Sequence, residues 1–90
     1  MSQRTKARVL VGKFSGLKLP VFGKTQIIKC KLEIELRSSP NRPEWFFVFW
    51  KFNNQPVQHF AYRLQEAQNL VAEMFVEQIE PWQDVGSVQP

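Results

Sequence analysis

The chain has 90 residues, 43% of them apolar, with twelve Lys and Arg against eight Asp and Glu and a formal charge of +4. That is enough for one small domain with a modest core, without help from metals or disulfides. The single cysteine excludes an intramolecular disulfide and fits a reducing compartment. No run approaches the roughly 20 apolar residues of a membrane span, and Val9-Leu10-Val11 is too short for a signal peptide. The expectation is a soluble, cytoplasmic protein without membrane contact.

The charge is unevenly distributed. Residues 1–42 hold ten of the twelve Lys and Arg against Glu33 and Glu35 alone, a net +8, whereas residues 43–90 carry a net −4. A polarised molecule with a basic side is expected of proteins that meet polyanions or acidic partners.

Taken in order, Met1 to Thr5 reads as a flexible basic arm. Lys6 to Phe14 alternates loosely as a first strand, and Ser15-Gly16 marks a bend. Leu17 to Val21 alternates again, but Pro20 cannot donate a ladder hydrogen bond, which confines this piece to an edge or irregular strand. Gly23-Lys24 suits a two-residue hairpin turn. The clearest pattern follows: Ile28, Cys30, Leu32, Ile34 and Leu36 fall on one face, and Lys29, Lys31, Glu33, Glu35 and Arg37 on the other. Such alternation marks a half-buried antiparallel strand.

Residues 38–43 are a loop by composition. Trp45 to Phe52 comes next, with seven of eight residues large and apolar. Aromatic and β-branched side chains suit a pleated strand, and Pro43 and Asn53-Asn54 bound the run. Asn53-Asn54 forms a tight turn, and Pro56 to Ala61 a short strand. From Tyr62 to Ile79 the period becomes helical. Leu64, Ala67, Leu70, Val71, Met74, Phe75 and Ile79 share one face, and Glu66, Glu73 and Glu77 lie opposite. Pro81 is expected to end the helix. The fold class predicted is α+β: an antiparallel meander of four to five strands packed on one C-terminal helix, in two layers. Residues 6–80 form the single domain, and 81–90 an irregular tail.

One helix covers only one face of such a sheet. The simplest register turns Phe46, Val48, Trp50 and Phe52 to the helix and leaves Trp45, Phe47, Phe49 and Lys51 on the open face. Aromatic rings beside basic neighbours there mark an interaction site. Three readings compete. Single-stranded nucleic acid stacks on aromatic rings at about 1–3 kcal/mol per base while Lys and Arg neutralise phosphates. A protein partner or a second copy of the chain uses aromatics at an interface centre and charges at its rim. Otherwise the tail folds back and Trp82 covers the patch as core. The outline resembles that of sheet-based single-strand binders such as the Whirly and PUR families, which also follow a curved antiparallel meander with a helix. The resemblance covers architecture alone and carries over no site.

The leading expectation is a non-enzymatic module binding single-stranded DNA or RNA, and the alternative an adaptor or homodimer using the same face. Candidate contacts are Lys29, Lys31, Arg37, Trp45, Phe47, Phe49 and Lys51, with Arg4, Lys6 and Arg8 as an accessory arm. No cofactor or metal is expected. Cys30 alternates in phase with Ile28 and Leu32 as a small hydrophobe, and His59 has no second ligand at a standard spacing. Glu33 and Glu35, about 7 Å apart along a strand, read as part of a cross-strand ion ladder with Lys31 and Arg37. Gly23-Lys24-Thr25 lacks the upstream glycine and the following helix of a phosphate-binding loop.

Overall fold

A computed structural model describes residues 8–52, 54–61 and 63–87. The elements are β1 (Arg8–Val21), β2 (Lys24–Ser38), β3 (Phe46–Phe52), β4 (Gln55–Ala61), α1 (Leu64–Met74) and β5 (Phe75–Ser87). The five strands form a single antiparallel sheet in the order β4-β3-β2-β1-β5. The fold is a two-layer α+β domain. The first four strands follow one another as a meander. The helix then carries the chain across one face, touching β1, β3, β4 and β5, and delivers β5 to the far side of β1.

The core is the layer between that face and the helix. It holds Leu10, Phe14, Leu17, Ile34, Leu36, Phe46, Val48, Trp50, Ala67, Val71 and Phe75, with Cys30, Leu32 and Trp82 partly buried against it. The alternation in β2 therefore reads as expected, with Ile34 and Leu36 fully buried. On β3, Phe46, Val48 and Trp50 are buried, as the register argument requires. On α1, Ala67 and Val71 are the fully buried stripe residues. No side chain caps its first turn, where Arg63 occupies the N-cap position.

Several boundaries differ from the sequence expectations, each for a physical reason. The bend at Ser15-Gly16 is a bulge inside one continuous strand, with a register shift between Ser15 and Leu17 against β2. One extra residue flips the two-residue period, so Phe14 and Leu17 both face the core. Gly16 takes φ +76° there, a conformation that glycine adopts without a steric cost. The first hairpin turns at Phe22-Gly23, one residue earlier than Gly23-Lys24, because Lys24 already pairs with Val21. Both turn residues have positive φ, 50° and 77°, as a turn matching the strand twist requires. Pro20 is accommodated because β1 pairs with β5 only as far as Leu17, leaving its last residues with a single strand neighbour.

The largest correction lies at the C-terminal end. The helix stops at Met74, and the expected helical turns to Ile79 and the irregular tail from 81 are instead the strand β5, through Ser87. The helix is thus followed by a strand and does not close the chain. Phe75 stays in the core as the first residue of β5, whereas Ile79 is exposed. Pro81 falls within an edge strand, where proline is tolerated. Against β1, β5 shifts register three times, between Arg8/Leu10, Val11/Lys13 and Lys13/Phe14. Those shifts erase the alternation that would have announced a strand.

Candidate functional site: the open sheet face

The face away from α1 is built by the side chains that alternate with the core. On β3 these are Phe47, Phe49 and Lys51, and on β4 their register partners Phe60, Gln58 and Pro56. Phe47 and Phe60 stand edge to face with centroids 5.2 Å apart, and Phe47 and Phe49 lie 6.3 Å apart. Phe60 is 74% exposed. The sequence argument missed it, although its place opposite Phe47 follows once Asn53-Asn54 is read as a tight turn. Trp45, just before β3, is half-buried, and the Arg42 guanidinium lies 5.0 Å from its ring centroid. Arg37 lies 5.5 Å from the Phe49 ring centroid and also donates to the Glu35 carboxylate. Arginine packs on ring faces through cation–π attraction and weak hydration. Arg42, unlike Arg37, is absent from the expected set.

The structure divides the expected basic residues. Arg37 sits at the aromatic end, opposite Phe47 in register. β2 meets β3 only over Glu35–Ser38, so Lys29 lies six residues, roughly 20 Å at the strand rise, from the nearest aromatic row. Lys31 lies four residues, roughly 13 Å, from the same row. Both belong to the hairpin end, where Ser15, Gly16, Ile27, Lys29, Cys30, Lys31 and Val76 line an open groove of about 450 Å³. Ile27 and Val76 expose apolar surface there, at 53% and 51%. Lys51 shares the face with the aromatic rings, beside Pro56.

Between the two ends runs an ion ladder. Lys13 pairs in register with Glu33 on one side and Glu80 on the other, with Lys13 Nζ 3.6 Å from the Glu80 carboxylate. The expected partner relationship of Glu33 and Glu35 is therefore modified: Arg37 takes Glu35 along the same strand, and Lys13 crosses strands. Val9, opposite Arg37, is buried at 2% outside the helix-side core, so the face is closed at that point.

Of the accessory arm, Arg4 and Lys6 lie outside the described residues. Arg8 is engaged elsewhere. Its backbone N–H donates to Ser38 Oγ at 2.7 Å, and its guanidinium donates to Asp84 Oδ2 at 3.2 and 3.3 Å. The Asp84 carboxyl is held below its ordinary value, first by the Gly86 N–H donating to Oδ1 at 2.8 Å and then by Arg8. Trp82 does not cover the aromatic patch. Its ring packs 5.2 Å from that of Phe14 on the helix side, so the third reading of the patch is set aside.

Cys30 and His59 both pack against apolar or aromatic neighbours. Cys30 is half-buried against the core. His59 stacks on Trp50, centroids 5.1 Å apart and planes 11° from parallel. Among the described residues no three His, Cys, Asp or Glu groups are placed to hold a metal ion, and no helix is long and apolar enough to cross a membrane.

Fold and site together define a two-layer α+β domain with one sheet face covered by a helix and the other carrying an aromatic and charged surface. Comparisons with protein families, with curated proteins and with solved structures returned no match. The resemblance in outline to the Whirly and PUR families finds no support in these comparisons.

Proposed function

We propose that this domain is a non-enzymatic binding module that takes single-stranded nucleic acid along its open sheet face. The observation carrying the proposal is the ring cluster Phe47, Phe49 and Phe60, solvent-facing and flanked by Lys51 and Arg37. Rings of this kind stack bases without regard to sequence. Lys31 and Lys29 form a separate cationic patch at the hairpin end, beyond Glu33 and Glu35. The helix adds Glu66 and Glu73 to the opposite side of the molecule, which disfavours a polyanion there.

A protein interface is the second reading, and one observation favours it. Guanidinium groups already occupy the Phe49 and Trp45 rings, and Glu33 and Glu35 stand mid-face. Arginine and aromatic residues are the usual centres of protein interfaces. Anisotropy of labelled single-stranded DNA and RNA separates the readings. Wild-type binding that Phe47→Ala/Phe49→Ala abolishes supports the nucleic-acid reading. A folded wild type that leaves both strands free at low salt transfers the face to a protein partner.

A further inference from the structure

The two edges of the sheet are built differently. β5 is a blunted edge: it shifts register three times, contains Pro81, and carries Glu77, Glu80 and Asp84. These are the devices by which proteins keep exposed strands from pairing with other chains. β4 has almost none of them. It pairs with β3 over all seven residues without a register shift. Its sequence, Gln55-Pro56-Val57-Gln58-His59-Phe60-Ala61, has no Lys, Arg, Asp or Glu. Pro56 blunts only its first two residues. Among the described residues no strand or loop pairs with its outer edge.

We infer that β4 is an assembly edge, joining antiparallel to β4 of a second copy so that two sheets become one of ten strands. Antiparallel pairing of a strand with itself is two-fold symmetric and closes at a dimer, which uses the edge up. An edge without charge brings no like-charge repulsion to the dyad, whereas the acidic β5 edge meeting its own copy would. Main-chain hydrogen bonds supply the attraction, as in other strand additions. The pairing also gives Phe60, 74% exposed in the single chain, an apolar neighbour across the dyad. The aromatic clusters of two copies then stand side by side on one face of the enlarged sheet. This inference rests on the edge and is independent of what the open face binds.

Sedimentation velocity over a wide range of protein concentration, without nucleic acid, tests it. The expected result is a concentration-dependent doubling of mass in the wild type. Gln58→Lys/Phe60→Lys places two charges beside the dyad and is expected to remain monomeric, while Val85→Lys on β5 dimerises like the wild type. Thermal unfolding of each variant checks that the exposed substitutions leave the fold intact, and hydrogen exchange reads the edge directly through slowed β4 amides in the dimer. A wild type that stays monomeric throughout overturns the inference, and so does a dimer that the paired lysines leave unchanged.

Discussion

The rings of Phe14 and Trp82 pack with centroids 5.2 Å apart, tying the middle of the first strand to the middle of the last. Gly12 makes room for this contact: a Cβ there would lie 3.0 Å from Trp82 Cε3. Trp82→Ala removes most of a half-buried ring and is expected to cost roughly 2–4 kcal/mol, towards the lower end of large-to-small aromatic changes. Urea unfolding measures it. A loss below about 0.5 kcal/mol, the range of neutral surface changes, would contradict the docking of β5.

Gly16 and Val76 form the tightest approach in the bulge. A Cβ on Gly16 would lie 2.7 Å from Val76 Cγ2, on a backbone with φ +76°. Gly16→Ala therefore carries both a steric and a conformational penalty, expected at roughly 1–3 kcal/mol. Adding Val76→Ala removes the Cγ2 contact but keeps the Cβ approach of 2.9 Å, so it relieves part of the steric penalty and none of the conformational one. Chemical denaturation of the two single variants and the double variant should give a coupling energy that favours the pair.

Neighbouring residues of β3 are expected to separate stability from binding. Val48 is fully buried, so Val48→Ala should lower stability by about 1–3 kcal/mol. Phe47→Ala and Phe49→Ala, half-buried on the other face, should cost less than a fully buried ring, about 1–2 kcal/mol, while removing binding. Losses of about 3 kcal/mol or more at Phe47 and Phe49 would make the open-face rings part of the core.

Asp84 supplies a pH dependence. Its folded carboxyl lies below its ordinary value of 3.8, so the ionised form is favoured by folding. That contribution is present above the ordinary value and is lost as pH falls through the lowered folded one. The side chain is about half exposed to solvent, so the effect is small. Asp84→Asn should lower the melting temperature slightly at neutral pH, with the difference from the wild type shrinking as pH falls below the ordinary value of 3.8.

The legible parts of the fold were those governed by an unbroken two-residue period. Ile28 to Leu36 and Phe46 to Trp50 each named their buried face, and the second face followed by exclusion. β5 was not legible, because its register shifts break the period and Pro81 imitates a helix stop. Val71, Met74 and Phe75 form an apolar run that fits both a helix stripe and a core strand, so periodicity alone could not place the boundary. The aromatic half of the face was legible in Phe47 and Phe49, which come from one strand, but not in Phe60, which β4 supplies. The basic half was not. How far Lys29 and Lys31 stand from Phe47 depends on where β3 joins β2, and local pattern carries no information about that offset.

The most direct test of the binding proposal is tryptophan fluorescence titrated with short single-stranded oligonucleotides at several salt concentrations. Trp50 and Trp82 pack in the helix-side core, whereas the Trp45 ring lies beneath Arg42 just before β3. Comparison with Trp45→Phe therefore isolates the response of the face. Quenching that disappears in Trp45→Phe and weakens steeply with salt is the predicted result, its slope counting the phosphates neutralised. A folded protein whose Trp45 emission is unchanged by DNA and RNA at low salt would contradict the proposal.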